Sequence, residues 1–273
     1  MTTEPVRAGA DWLALREPAD AAARSTRLVE ELLPLLPGSG SEIRDLGSGT
    51  GSMARWLAPQ LPGPQRWVLY DRDAELLPLV DADPPRSALE GTPVTVETRC
   101  GDVTRLDPSE LAGASLITAS ALLDMMTEAE LDRLVAGCAR AGCPVLITLS
   151  VTGCVDLEPG DPADTLFREA FNDHQRRPAA AGRRLGPDAV DAAVDAFTRL
   201  GLDVTVRPSP WRLGRDQGAL AQAWLAGWVE PACEQRPELE DLRPSYLGRR
   251  LAELAAGRLS VTVHHQDLLA LPA

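Results

Sequence analysis

The sequence predicts an α/β protein built on a doubly wound, mostly parallel sheet of seven strands, the last of them antiparallel. Short apolar runs alternate along the chain with segments in which apolar residues recur every three or four positions, as expected of βα units. The first apolar run enters a glycine-rich turn and a later one ends in an acid, which indicates polar groups at the carboxyl edge of the sheet. With 273 residues and 44% hydrophobic content, the chain can fill the core of one large domain.

Composition and charge narrow the class of function. A formal net charge of −13 disfavours nucleic-acid partners, because such a surface repels a phosphate backbone. The five cysteines form no C-x-x-C pair and suit a reducing compartment. No basic-then-apolar signal, membrane-length apolar run or metal-ligand spacing is present. We therefore expect a cytoplasmic protein acting on a small molecule, with no metal, nucleic-acid or membrane partner.

The first strand pattern is followed by the turn Asp45-Leu46-Gly47-Ser48-Gly49-Thr50-Gly51, from which a helical pattern begins at Met53. Glycines at alternate positions allow positive φ and let a ligand approach closer than a Cβ would permit. The helix beyond turns free N–H groups toward that ligand. The spacing is not the G-x-G-x-x-G of a dinucleotide site, and the run lacks the lysine of a phosphate loop. A plain strand-to-helix turn is the alternative interpretation.

This Asp-x-Gly-x-Gly-x-Gly run resembles motif I of the class I S-adenosylmethionine-dependent methyltransferases. The resemblance covers residues 40–150 well and the last two strands in pattern only. It implies a Rossmann-like methyltransferase fold, methyl transfer to a small molecule, and S-adenosylmethionine as the cofactor. It also implies that the cofactor lies against Asp45, Gly47, Ser48, Gly49 and Gly51.

Before this turn, residues 1–19 look irregular, and residues 20–36 carry a helical pattern ended by Pro37-Gly38. The resemblance implies that this helix closes over the cofactor, so Arg24 or Arg16 could reach the carboxylate of its methionine moiety. The alternative is that both arginines are solvated on an outer face.

The second strand pattern, residues 67–71, ends in Asp71 and is followed by Arg72. An acid at this place can accept hydrogen bonds from both ribose hydroxyls, and we expect both residues at the cofactor site. The alternative for Asp71 is a helix cap, for which Asp73 is the better candidate. After the third strand, residues 94–98, the resemblance implies that Asp102 receives the adenine amino group and that Val103 flanks the ring. A Gly-Asp pair by itself indicates only a turn.

Residues 114–119 are predicted as the central fourth strand, and residues 120–126 as a loop where the cofactor and acceptor sites meet. Ser120 is expected at the cofactor. Asp124 is a catalytic candidate that orients the acceptor, with a cap or turn role as the alternative. Thr127 and Glu130 then form a capping box. Residues 144–150 read as a buried fifth strand.

The remaining chain contains two predicted cap or insertion segments, residues 153–186 and 209–257, within a single domain of residues 1–273. Between them lie a helical pattern over 187–200 and a strand over 202–206, and the last strand covers 259–265. Four tryptophans outside the first two βα units could line an apolar pocket or simply seat helices on the body; they are Trp12, Trp211, Trp224 and Trp228. The second cap segment could equally form a homodimer surface.

Methyl transfer to oxygen needs a base if the acceptor is an alcohol or phenol. Of three histidines, His174 in the first cap segment is the leading base candidate, with a solvated loop residue as the alternative. His264 and His265 are expected to face opposite sides of the last strand, far from the methyl group.

We expect an oxygen acceptor in biosynthetic metabolism. Two alternatives are a nicotinamide-dependent dehydrogenase, disfavoured by the glycine spacing, and a protein that binds the cofactor without methylating.

Overall fold

The computed structural model of the chain describes residues 8–87 and 91–272. Its helices are α1 (Ala10–Ala23), α2 (Thr26–Leu32), α3 (Ser52–Leu57), α4 (Glu128–Ala141), α5 (Asp164–Gln175), α6 (Ala189–Arg199), α7 (Gly218–Gln235) and α8 (Arg243–Ala255). Its strands are β1 (Ser41–Leu46), β2 (Gln65–Asp71), β3 (Val94–Cys100), β4 (Leu116–Ser120), β5 (Val145–Glu158), β6 (Pro178–Ala179), β7 (Gly182–Arg183), β8 (Asp203–Pro208), β9 (Trp211–Leu213) and β10 (Ser260–Leu271).

The main sheet has the strand order β3-β2-β1-β4-β5-β10-β8, and β9 pairs with the first half of β10. Strands β1 to β5 are parallel, whereas β10 runs antiparallel to β5 and to β8. The predicted fold class, a mostly parallel α/β sheet of the Rossmann-like methyltransferase type, is therefore confirmed. The order reverses at β1 and β4, so the carboxyl ends of these two strands flank the crevice in which open α/β sheets bind ligands.

Strand β5 is longer than its sequence pattern indicates. It runs to Glu158, because beyond Ser150 it leaves the core and pairs with β10 as a two-stranded extension with partly exposed faces. The continuous apolar run of β5 therefore ends near Ser150, where the strand ceases to be fully buried. The first cap segment accordingly leaves the sheet after residue 158 rather than at 153, and the second begins with strand β9 rather than with a helix.

The N-terminal region differs from the sequence prediction. Residues 10–23 form α1 with Pro18 inside it, and the predicted helix over 20–36 is divided at Arg24, after which Ser25 caps α2. A proline inside a helix removes one hydrogen bond. Tertiary contacts offset this, since the buried Asp20 accepts from Trp211 Nε1 at 2.9 Å and Glu17 pairs with Arg55. Residues 1–7 of the predicted irregular segment lie outside the described residues.

Apolar clusters cover both faces of the sheet, and a third cluster lies under the cap helices α5, α7 and α8. In the cap, Phe167 stacks on Tyr246 at 4.4 Å between ring centroids. The guanidinium of Arg250, whose side chain is 1% exposed, binds Asp164, Glu253 and the carbonyl of Pro159, which ties α8 to the start of the cap. In residues 8–87 and 91–272, no helix is both long and apolar enough to cross a bilayer.

Candidate active site

A cavity of about 820 Å³ lies at the carboxyl edge of the sheet, under α1 and the cap. One end, here called the glycine end, is formed by residues 45, 47–50, 52–53, 71–73, 76 and 102–105. The other end, here called the tryptophan end, is formed by the four tryptophans 12, 211, 224 and 228 together with residues 171, 172, 175, 178–181, 184 and 263–265 of the wall. Residues 120–126 lie at the junction, as the sequence predicted for this loop. The volume is within the range of small-molecule sites.

The glycine-rich turn has the conformation that its sequence requires. Gly47, Gly49 and Gly51 have φ values of 70°, 55° and 86°, in the left-handed region that side chains rarely adopt. The N–H groups of Gly47 and Ser48 both donate to the carbonyl of Tyr70, at 2.8 and 2.9 Å, which fixes the turn to β2. Helix α3 has only six residues, so its dipole is weak. The exposed backbone of the glycine turn therefore contributes more than this dipole to binding at the glycine end.

Asp45 is buried at this end with an unfilled hydrogen-bonding position. Its Oδ1 accepts from Thr118 Oγ1 at 2.7 Å, and its Oδ2 has no partner in the described part of the chain. Burial raises the pKa of this carboxyl to about 7, and the Thr118 hydrogen bond and the charge of Arg24 oppose the rise. A buried carboxylate oxygen without a partner is costly, and a cationic or N–H group of a ligand would satisfy it.

Asp71 lies at the end of β2 and organises the turns around it. Its Oδ2 accepts from the N–H of Gly49 at 2.7 Å, and its Oδ1 accepts from the N–H of Asp73 at 2.8 Å. Each carboxylate oxygen retains a second lone pair for a ligand hydroxyl. The following residues form a short 3₁₀ turn, Leu77–Val80, rather than an α-helix, so Asp71 caps no helix. Arg72 also contributes to the cavity wall.

Asp102 and Val103 form the far wall of the glycine end. Asp102 Oδ1 accepts from the backbone N–H and the hydroxyl of Thr104, at 3.0 and 2.7 Å, while Val103 is buried. This turn presents an acidic group beside an apolar surface, a pairing that suits a ring with an exocyclic amino group.

Arg24 is neither on the cavity wall, where the resemblance implied it could reach the cofactor, nor solvated on an outer face, which was the alternative. It is 3% exposed and lies behind the wall, where it donates to Ser120 Oγ at 3.0 Å and Ser52 Oγ at 3.2 Å. Both serines line the cavity, so Arg24 orients them from below. Arg16 does line the cavity but is paired with Asp20, at 2.9 and 3.2 Å.

Asp124 lies at the junction of the two ends, in the 3₁₀ turn Leu123–Met125. Burial raises its pKa to about 6, and the nearby charges of Arg16 and Arg184 oppose the rise. The predicted capping box is confirmed, and it makes Thr127 the cap of α4. The cap alternative for Asp124 therefore does not apply, and its carboxyl is at the cavity with a pKa near the physiological range.

His174 lies away from the cavity. It is near the end of α5, and its Nε2 is 3.2 Å from Glu234 Oε2 of α7. Burial lowers its pKa, with Arg177 adding to the effect. Helix α5 presents Phe171, Asn172 and Gln175 to the cavity, and the 3.6-residue period turns residue 174 to another face. The structure therefore gives the predicted base no access to a bound acceptor.

His264 and His265, expected to be distant, both line the cavity. The register of β10 against β5 shifts between Val263 and His265, and such a bulge re-aims side chains in a way that alternation cannot reveal. His265 is 5% exposed and packs 5.2 Å from the ring of Trp211. Burial lowers its pKa to about 3, so its imidazole is neutral. His264 Nε2 is 2.7 Å from Asp156 Oδ2 nearer the rim.

Two further wall residues could not be found by sequence reasoning. Ala121 and Leu149 have φ values of 51° and 58°, although neither is glycine, and both line the cavity. The carboxylate of Asp267 stabilises the conformation of Leu149, within β5, by accepting its N–H at 2.8 Å, and it also accepts the N–H of Ser25 at 2.7 Å. Backbone strain of this kind is concentrated at functional sites.

Comparisons with known proteins agree with this geometry. Residues 43–144 match the family model described as a methyltransferase domain. The fold is similar to that of a cyclopropane synthase from Mycobacterium tuberculosis, with 13% identity, 96% of this chain and 94% of that chain covered, and a TM-score of 0.51. It is also similar to a SAM-dependent methyltransferase from Methanosarcina mazei, with 12% identity, 89% and 95% coverage, and a TM-score of 0.51. No curated protein matches the chain in sequence.

At these identities the structural likeness establishes the fold alone. The family model covers residues 43–144, less than half of the chain, and identifies a methyltransferase domain there, which supports an enzyme with S-adenosylmethionine as its cofactor.

Proposed function

We propose that the protein transfers the methyl group of S-adenosylmethionine to an oxygen atom of a small molecule in biosynthetic metabolism. One observation carries this proposal: a single cavity joins the glycine end to the tryptophan end, with the carboxyl of Asp124 at the junction. A cofactor and an acceptor in these two ends would meet beside Asp124.

The residues of the glycine end fit the cofactor. The unpaired Oδ2 of Asp45 suits the ammonium of a methionine moiety, and Gly47, Ser48 and Gly49 line the space beside it. Gly51 is outside the cavity wall and would act through the shape of the turn, where its φ is 86°. Asp71 would accept from the ribose hydroxyls, with Arg72 alongside. Asp102 and Val103 would hold the adenine, and Ser120 would close the site from β4, supported by Arg24. When bound, the cofactor supplies an electrophilic methyl group on a sulfonium.

Asp124 is the group best placed to accept a proton from an acceptor hydroxyl. With a pKa of about 6, it is mostly a carboxylate at neutral pH and is more basic than an ordinary aspartate. General-base catalysis of this kind contributes about 10²- to 10⁴-fold in rate. An in-line displacement otherwise depends on the alignment of acceptor, methyl group and sulfur, which the cavity walls would provide.

The experiment begins with calorimetry of S-adenosylhomocysteine and of NADH. We expect the first to bind and the second not to bind, whereas the reverse result would favour the dehydrogenase alternative. Methyl-labelled S-adenosylmethionine is then incubated with a panel of phenols, alcohols and amines, and the label is followed by mass spectrometry.

We expect label on phenol oxygen, with turnover that rises with pH through about 6 and is lost in Asp124→Asn while binding of S-adenosylhomocysteine is retained. Label on nitrogen or carbon alone contradicts the oxygen assignment. Cofactor binding without turnover of any panel member would support a protein that binds without methylating.

A further inference from the structure

The tryptophan end contains one arginine whose charge has no counter-ion. Arg184 is half-buried and lines the cavity, and no carboxylate in residues 8–87 and 91–272 forms an ion pair with it. The other arginine at this end, Arg16, is neutralised by two hydrogen bonds to Asp20. Asp124 is close enough for the charge of Arg184 to affect it, but the two side chains do not pair.

The backbone around Arg184 is fixed, so this placement does not depend on a free loop. Arg184 forms a β-bridge with Thr127, and its N–H donates to the carbonyl of Arg177 at 3.3 Å. The N–H of Leu185 donates to the carbonyl of Met126 at 2.8 Å. The segment that carries Arg184 is thus joined to the loop that carries Asp124, and both side chains line the cavity, near enough for the charge of Arg184 to act on Asp124.

The neighbouring arginines of this segment are either paired with another side chain or exposed to solvent. Arg176 is paired with Asp188 at 2.6 and 2.7 Å, and Arg177 is bonded to Gln235 at 2.7 Å and to Glu234 at 3.2 Å. Arg183 is exposed and donates to the carbonyl of Arg176 at 3.3 Å, outside the cavity wall. Arg184 alone of the four is directed to the cavity and lacks an acceptor.

Much of the remaining wall at the tryptophan end is aromatic. Trp224 and Trp228 stack with their ring centroids 5.1 Å apart, and Trp12 lies 6.3 Å from Trp211. Planar aromatic ligands pack well on such surfaces. A guanidinium that is partly withdrawn from water is best satisfied by a bidentate anion, and its planar fork matches a carboxylate or a phosphate.

From this combination we infer that the acceptor is a hydroxylated aromatic molecule that carries an anionic group, a carboxylate or a phosphate, bound by Arg184. The inference rests on the proposed function only for the role of this molecule as the methyl acceptor. Its ring would pack among the tryptophans, and its hydroxyl would lie toward Asp124.

Three probes of similar ring size test the inference by calorimetry on protein saturated with S-adenosylhomocysteine. They are 6-hydroxy-2-naphthoate, 2-naphthyl phosphate and the neutral 6-hydroxy-2-naphthalenemethanol. We expect at least one anionic probe to bind ten times or more tightly than the neutral probe. The stronger anion identifies the class, carboxylate or phosphate.

In Arg184→Gln we expect this preference to fall below threefold, with unchanged binding of S-adenosylhomocysteine as evidence of an intact fold. Arg183→Gln, which removes an equal charge one residue away from the cavity wall, should keep the preference. A wild-type protein without any preference for an anion overturns the inference, and so does a preference that survives in Arg184→Gln or disappears equally in Arg183→Gln.

Asp124→Asn separates an anion site from a hidden Arg184–Asp124 pair. If the protein prefers anionic probes only in the Asp124→Asn variant, Arg184 is paired with Asp124 in the wild-type protein and the inference fails. Failure of S-adenosylhomocysteine to bind would count against the proposed function instead, and the same titrations on the unloaded protein would then still decide the anion site.

Discussion

At the scale of single residues, the site depends on carboxylates that have different surroundings and therefore different roles. Asp71 accepts two backbone N–H groups, whereas Asp45 is buried with one oxygen unpaired and Asp124 lies at the junction with a raised pKa. Burial disfavours the charged form of a carboxyl, which raises the pKa of Asp45 and of Asp124. Asp71 is consequently suited to ligand hydroxyls, Asp45 to an ammonium group, and Asp124 to accepting a proton during the reaction.

Asp71→Ala should weaken S-adenosylmethionine binding at least tenfold in calorimetry. The substitution removes the acceptor for the ribose and also frees the N–H of Gly49, so the glycine turn loses one of its supports. Charge-assisted hydrogen bonds contribute about 1.5–3 kcal/mol each, and tenfold corresponds to about 1.4 kcal/mol. The exposed Asp81→Ala, one turn further along, is the matched control. Unchanged affinity in Asp71→Ala would remove the ribose assignment.

At the scale of elements, the glycine turn and α1 set the shape of the glycine end of the cavity. The turn needs glycine because of its backbone angles, and α1 closes the cavity above it. These two elements give the next two predictions.

Gly47→Ala should lower both stability and cofactor affinity. Its φ of 70° costs about 1–2 kcal/mol for a residue with a Cβ, and that Cβ would come 2.9 Å from Leu122 Cδ1. Gly227→Ala, at an exposed position inside α7 with open space for a Cβ, should instead stabilise the protein by about 0.5–1 kcal/mol. Thermal melting and calorimetry on both variants make the comparison, and equal effects at the two positions would contradict it.

Arg55→Ala should loosen α1 over the cavity. Arg55 binds both oxygens of Glu17 at 2.6 and 2.7 Å in a mostly buried ion pair that joins α3 to α1. We expect faster amide hydrogen exchange in residues 10–23 and several-fold weaker cofactor binding, since fewer contacts then hold the helix closed. Arg27→Ala breaks a pair that is exposed on both sides and should change neither quantity. If amide exchange in residues 10–23 is as slow in Arg55→Ala as in the wild-type protein, apolar packing alone holds α1 in place.

The sequence predicted the parts of the site that local chemistry determines. Glycine spacing and an acid at a strand end are local signals, so the positions of Gly47, Asp71 and Asp102 at the cavity followed from the sequence. The predictions that failed concern positions that are determined by contacts between residues far apart in the sequence. Helix α1 survives Pro18 because Trp211 and Arg55 hold it, and His265 enters the cavity because β10 is bulged against β5. His174 was misplaced because its loop is in fact a helix with a different face toward the cavity.

At the scale of the whole molecule, the buried carboxyl of Asp45 lowers stability, and we expect this carboxyl to bind the cofactor. The folded chain raises the pKa of this carboxyl from 3.8 to about 7, so the folded state holds its proton more tightly than the unfolded state. Stability then falls as pH rises between these two values, because the unfolded chain releases the proton first. The cost above pH 7 is at most about 4 kcal/mol, at about 1.4 kcal/mol for each pKa unit.

Asp45→Asn should therefore be more stable than the wild-type protein at pH 8 without cofactor, and the difference should shrink toward pH 5. The amide carries no charge to bury and keeps an oxygen for the hydroxyl of Thr118. His265, with a pKa lowered to about 3, makes the opposite contribution by favouring the folded state as pH rises toward 6.5, but both proteins share it. The difference in melting temperature between the two proteins, measured from pH 5 to 8, thus isolates Asp45. Saturating S-adenosylmethionine should reverse the order at pH 8, because its ammonium pairs only with the carboxylate. If the variant is no more stable at pH 8, or gains as much from the cofactor as the wild-type protein does, Asp45 is not the group that exchanges folding stability for cofactor binding.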